Sequence, residues 1–209
     1  MALKAKNRRS PQHQCELIAI GASAGGLLAL IELLGDIGAE FPAVVVVQHL
    51  DPRHKSQMAS LLARKTRKRV KDAEDGETIR CGTVYIGPPD EHLLVHDGRI
   101  QLAHSRLVRF SRPSIDVMFA SVAAMYGDRA MGVVLSGSNR DGSDGIAAIK
   151  RAGGITVAQD PRTAEFRAMP QSAIDTGCVD YVLPLGKMGQ TISQLLVKGT
   201  SSKWQGKSI

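Results

Sequence analysis

The chain has 209 residues, 43% of them hydrophobic and 22% charged, and carries a net charge of +7. That length and balance suit one α/β domain with its own core. They exclude a helical membrane span, because no apolar run approaches the roughly 20 residues such a span needs; with only 4% aromatics and no recognition-helix pattern, they also argue against nucleic acid as a partner. Met1 to Arg9 is basic but leads into no secretory apolar core, so a soluble, cytoplasmic protein without membrane insertion is expected. Cys15, Cys81 and Cys178 are odd in number and far apart, which points to plain thiols rather than a disulfide framework or structural zinc.

In chain order, residues 1–14 read as a polar leader or linker remnant. Leu17-Ile18-Ala19-Ile20 is a short apolar run that ends at Gly21, and Leu27, Leu28, Leu30, Ile31, Leu33 and Leu34 then recur at helical spacing. The pattern predicts a buried strand, a tight turn through Gly21-Ala22-Ser23-Ala24-Gly25-Gly26, and a helix. Ala43 to Gln48 is apolar and β-branched on both faces, as a central parallel strand is, and a helix is expected from about Gln57 to Lys65. The middle of the chain carries shorter strands, Gly82–Pro89, His92–His96 and Arg99–Leu102, broken by turn signals such as Asp97-Gly98; these predict an antiparallel hairpin beside the main sheet.

The alternation returns at Ser114, a good helix start ahead of the stripe Ile115, Met118, Phe119 and Val122. Strands are expected at Met131–Leu135, Ile155–Ala158 and Val179–Leu183. Helices are expected at Gly145–Ala152, Pro170–Thr176 and Met188–Val197, before a polar tail over 198–209. The whole predicts a doubly wound α/β fold: a mostly parallel sheet covered by helices on both faces, with a small antiparallel hairpin.

In such a sheet ligands collect outside the carboxyl ends of the strands. Three of those ends carry Ser23, His49 and Asp141. A hydroxyl nucleophile, an imidazole base and a carboxylate to orient it need geometry, not a fixed order along the chain. The order here, serine, histidine, acid, differs from that of the α/β-hydrolases, although Gly21-x-Ser23-x-Gly25 matches their nucleophile turn. Backbone N–H groups at the start of the first helix could hold an oxyanion or, on another reading, a phosphate, which leaves a nucleotide-binding module open. Asp141 is also placed to cap the helix that follows it. His92 and His96 would share a strand face but sit in no zinc motif, and Asn139-x-Asp141-x-Ser143 lacks the glutamate of a calcium loop, so no metal and no cofactor are expected.

From about Leu17 to Leu196 the chain resembles the catalytic domain of the CheB-type protein-glutamate methylesterases of bacterial chemotaxis. The resemblance is carried by Ile20-Gly21-Ala22-Ser23-Ala24-Gly25-Gly26, Val46-Val47-Gln48-His49, Tyr85-Ile86-Gly87-Pro88-Pro89-Asp90-Glu91-His92-Leu93 and Arg112-Pro113-Ser114-Ile115-Asp116. It continues in Val134-Leu135-Ser136-Gly137 with Asp141-Gly142, Ala158-Gln159-Asp160, and Met169-Pro170-Gln171-Ser172-Ala173. It implies a Ser23–His49–Asp141 triad that hydrolyses glutamate γ-methyl esters, and deamidates glutamine, on the cytoplasmic helices of methylated chemoreceptors. It implies an oxyanion site at the backbone of Ala24, Gly25 and Ser138. Ala24 stands where such enzymes often have threonine, and Gly137-Ser138-Asn139 where they usually have Gly-Met-Gly; these departures bear on rate, and they keep a weak or inactive receptor-binding scaffold as an alternative.

Family enzymes commonly carry an amino-terminal receiver domain. The residues before Cys15 are too few for a unit of about 100 residues, so residues 15–197 read as a catalytic domain, either excised or stand-alone, with a separate receiver or phosphorelay partner acting in trans. The basic run Arg64-Lys65-Thr66-Arg67-Lys68-Arg69 is expected to steer it onto acidic receptor surfaces.

Overall fold

The computed structural model describes residues 15–49 and 56–198; the leader at 1–14 and the tail beyond Lys198 lie outside them. Seven strands form one all-parallel sheet: β1 (Leu17–Ala22), β2 (Ala43–Gln48), β3 (Arg69–Asp72), β4 (Thr83–Ile86), then, after a separate hairpin of β5 (His92–His96) and β6 (Arg99–Ala103), β7 (Ala130–Val134), β8 (Ile155–Gln159) and β9 (Tyr181–Leu183). Their order across the sheet is β3-β4-β2-β1-β7-β8-β9. β1 and β2 are buried at every position, and their branched side chains fill both faces.

The helices are α1 (Gly26–Asp36), α2 (Met58–Thr66), α3 (Ile115–Tyr126), α4 (Ser143–Arg151), α5 (Ala168–Ile174) and α6 (Leu185–Lys198). One apolar core joins Ile18, Ile20, Val44 and Val46 to Leu30, Leu33 and Leu34 of α1, Leu62 of α2 and Ile192 of α6. The other joins Leu17, Ala19, Val45 and Val47 to Met118, Phe119 and Val122 of α3 and Ile146 and Ile149 of α4, and takes in Leu93, Val95 and Ile100 of the hairpin. Alternate residues of each strand thus serve opposite cores. Winding proceeds outward from β1 through β2 and then, through α3, outward again from β1's other side through β7. Loops leaving β1 and β7 therefore diverge to opposite faces and open a crevice at their carboxyl ends.

One expectation needs correction. Thr83–Ile86 is not part of the antiparallel hairpin. It is buried at every position and lies parallel between β2 and β3, while only β5 and β6 pair antiparallel. The sequence also hid β3, a polar sheet edge of the kind that charge protects. Its first residue, Arg69, closes the basic run. That run does not face the crevice. Arg64 and Lys65 lie in the last turn of α2, which leads into the amino end of β3, so in an all-parallel sheet the run sits at the edge opposite Ser23 and His49. Lys68 is already engaged, over the Phe41 ring and bonded to the carbonyls of Ile37 and Gly38.

Candidate active site

Ser23 follows β1 directly, and its position is fixed by bonds to the loop after β7, to the first residue of α1 and to the last residue of β2. Its N–H donates to the Ser136 carbonyl (2.9 Å), and its carbonyl accepts from the Gly26 N–H (2.8 Å) and from Gln48 Nε2 (2.7 Å). The His49 N–H donates to the Ala22 carbonyl (3.1 Å), which ties the end of β2 to the same turn. Gly25 caps α1 with φ of 71°, and a β-carbon there would come within 2.8 Å of Ser136 Oγ; one at Gly26 would come within 2.3 Å of Gln48 Oε1. Both glycines are therefore required, one for its backbone and both for closeness. The turn places the N–H groups of Ala24 and Gly25 at the start of α1, where helix geometry leaves donors available to an anion.

The structure brings Ser23, His49 and Asp141 into one line. Ser23 Oγ lies 3.1 Å from His49 Nδ1, and His49 Nε2 lies 2.9 Å from Asp141 Oδ2. The roles of the ring nitrogens are reversed from the usual serine-hydrolase arrangement, in which Nε2 faces the hydroxyl. Asn139 explains how the ring is held. Its Oδ1 accepts the Asp141 N–H (3.1 Å), so its Nδ2 is the end 3.3 Å from His49 Nδ1. An amide nitrogen only donates, so Nδ1 carries the lone pair and Nε2 the proton, and Nε2–H donates a hydrogen bond to Asp141.

Asp141 is 1% exposed. It does not cap its own helix: Gly142 holds that place in α4, with φ of 97°. Instead it sits at the amino end of α3, 25 residues or more earlier in the chain. Oδ1 accepts from Ser114 Oγ (2.9 Å) and the Asp116 N–H (3.0 Å); Oδ2 accepts from the Ile115 N–H (2.7 Å) and His49. Burial alone would raise its carboxyl, but the hydrogen bonds from His49, Asp116 and Ile115 outweigh that and hold it below the usual carboxylate range. The neighbouring Asp116 goes the other way: burial, with the Asp141 charge adding to it, raises its carboxyl although the Gly145 N–H opposes this. The site thus keeps one firmly ionised acid beside a base whose proton-accepting nitrogen faces a hydroxyl.

Ser138, expected at the oxyanion site, lies exposed on the loop between Leu135 and Asp141, three residues before Asp141. Sequence reasoning missed the supporting set: Gln48, Ser114, Ser136 and Asn139. Ser136 Oγ donates to the Ala24 carbonyl (2.8 Å) and accepts from the Phe166 N–H (3.0 Å), while its own N–H donates to Gln159 Oε1 (2.9 Å). For Gln48 and Ser136 the available signal was a polar residue at the end of an apolar strand; Ser114 was legible only as a helix start, and Asn139 lies in a loop. His92 is structural, buried with Nδ1 accepting the Ser114 N–H and Nε2 3.0 Å from the Arg106 carbonyl. Cys15 is a partly buried thiol, pushed up to about 12 by the desolvation it does undergo. Among the described residues no helix is long and apolar enough to cross a membrane.

Beside His49 a cleft opens between Leu107, Phe110, Ser111 and Arg112. Asp90 also lines it, its Oδ1 accepting from Arg112 Nε at 2.9 Å and Nη2 at 2.6 Å.

A family model described as CheB methylesterase matches residues 18–192. A protein of Leptospira interrogans is 41% identical over 182 residues, which cover 86% of this chain and 94% of that protein. The protein-glutamate methylesterase/protein-glutamine glutaminase of Sulfurimonas denitrificans is 40% identical over 185 residues, covering 87% of this chain and 53% of the relative, so the chain spans about half that protein's length. The crystal structure of the Thermotoga maritima CheB methylesterase catalytic domain superposes with a TM-score of 0.82 at 33% identity, covering 86% of this chain and 98% of that one.

Proposed function

Because the chain belongs to the CheB methylesterase family, we propose that it hydrolyses glutamate γ-methyl esters on the cytoplasmic helices of methyl-accepting chemoreceptors, resetting them during sensory adaptation. The observation that carries this reading is the unbroken line from Ser23 Oγ through His49 to Asp141. It favours an enzyme over an inactive scaffold, which has no need of a hydroxyl aligned with an oriented imidazole.

Ser23 Oγ attacks the ester carbonyl carbon as its proton passes to His49 Nδ1. Asp141 stabilises the resulting imidazolium through Nε2–H. The oxyanion is held by backbone N–H at Ala24 and Gly25, with Ser138 supplying a further donor. Collapse of the tetrahedral intermediate breaks the bond to methoxide, which takes the proton from Nδ1 and leaves as methanol. Water then gives its proton to Nδ1 and attacks the acyl-enzyme, and Ser23 departs with that proton, leaving the glutamate carboxylate. With a glutamine side chain the same steps release ammonia. The residues call for no metal or organic cofactor in any of these transfers.

The test is methanol release from methylated chemoreceptor membranes, with Ser23→Ala as the comparison. Loss of the nucleophile should cut the rate by about 10⁶-fold. Equal release by both proteins would remove Ser23 from the mechanism, and no release by the folded wild-type protein would remove the esterase reading.

A further inference from the structure

Val108 and Ser111 exchange both backbone hydrogen bonds, at 3.1 and 2.9 Å, closing a two-residue hairpin between β6 and α3. Its two central residues are Arg109, with φ of 49°, and Phe110, with φ of 63°. Positive φ at both positions is the geometry of a type I′ turn, for which local energetics selects Asn-Gly or Asp-Gly. A side chain with a β-carbon is disfavoured at each. Arg109 has a structural return for this: its Nε donates to Asp116 Oδ2 at 3.0 Å and its guanidinium pairs with Asp144, tying the turn to the amino ends of α3 and α4. Phe110 has none. It is 97% exposed and adds nothing to either core.

What Phe110 does have is position. It lines the cleft that contains His49, next to Leu107, which is 56% exposed. The turn is pinned by Arg109 on one side and by Arg112, bonded to Asp90, on the other. An exposed aromatic on a pinned turn at the mouth of a reactive cleft has the character of a binding anchor, which gains by desolvation when covered. A backbone held against local preference belongs at sites under functional selection.

We infer that Phe110 is a docking residue for the protein substrate, inserting between apolar side chains of the helix segment that carries the ester, so that the ester-bearing side chain is delivered to Ser23. The inference rests on the esterase reading above. Its continuity with the cleft selects this occupant, because a protein side chain that reaches His49 through this cleft brings its own backbone past Phe110.

Phe110→Gly and Phe110→Asn both suit a left-handed backbone, so each keeps the turn. With methylated receptor membranes, KM should rise ten- to a hundredfold in both variants, as expected when an interfacial aromatic anchor is removed. The turnover number should stay within about twofold, and the thermal midpoint should not fall, because backbone strain is relieved. An unchanged KM in active variants would overturn the docking role. So would loss of a dimer without change in receptor kinetics, which would give Phe110 to contact between copies of the chain. Absence of methanol release by wild-type protein as well as by Ser23→Ala would overturn the esterase reading, and the inference with it.

Discussion

Asp141 and Phe110 belong to the two ends of the same site, one almost wholly buried and the other almost wholly exposed. Every oxygen lone pair that Asp141 can offer is met by a donor from His49, Ser114 or the start of α3. Phe110 has backbone bonds around it and solvent over its ring. The floor of the site is over-determined, so that no single neighbour positions the acid. The rim is held rigid by arginines but left uncovered, as surface meant for another molecule is. The difference separates residues needed for chemistry from residues needed for delivery, and variants should divide along the same boundary.

The largest effect after loss of the nucleophile should come from Asp141→Asn. The amide keeps the shape but not the charge that stabilises the imidazolium, and turnover should fall by about 10⁴-fold. The same variant tests the acid itself. The folded protein holds the Asp141 carboxyl below its unfolded value, so the stability it contributes is present above about pH 4, the ordinary range of an aspartate, and is lost as pH falls through the folded value. Denaturant unfolding across that range should show a smaller acid loss in Asp141→Asn than in wild type. A loss of the same size would place the acid sensitivity elsewhere.

Ser114→Ala removes one donor to a buried charge. It should lower stability by about 1.5–3 kcal/mol while leaving Asp141 its other three donors, so turnover should fall far less than in Asp141→Asn. Equal losses in the two variants would mean that the floor depends on one hydroxyl after all. Asn139→Ala is expected to matter less. Asp141 alone suffices to hold the Nε2–H, so nitrogen NMR of the histidine ring should report the same tautomer, with kcat/KM within about tenfold, since a 3.3 Å contact between neutral groups is a weak hydrogen bond. The smallest effect should come from Arg64→Glu with Lys65→Glu. These residues lie at the opposite edge of the sheet from the site, so the rate of association with receptor membranes should not change; a marked fall would restore the steering role that the sequence suggested.

Much of this was legible in the residues. Uninterrupted apolar runs at Leu17–Ile20 and Ala43–Val47 identified the central parallel strands, and the chemistry-bearing residues stood directly after such runs. What escaped had physical reasons. Arg69–Asp72 looked like the end of a charge run because an edge strand needs charge and exposes it. Thr83–Ile86 is too short for its two-sided burial to declare itself beside neighbouring turn signals. Which imidazole nitrogen faces Ser23 is set by Asp141, which takes Nε2 from 92 residues away in the chain, and that contact exists only after folding. Asp141 was expected to cap the helix after it, because capping is usually local; here the partner helix lies earlier in the chain.

That last arrangement makes the active centre a gauge of chain completion. The nucleophile turn is encoded within the first βα unit, yet Ser136, which anchors it, and the acid with its supports arrive only when β7 lies beside β1 and α3 has formed. A chain emerging from the ribosome has its serine early and its working base late. Hydrolysis, measured on a series of carboxyl-terminal truncations, would therefore mark the length at which the two halves of the sheet have joined.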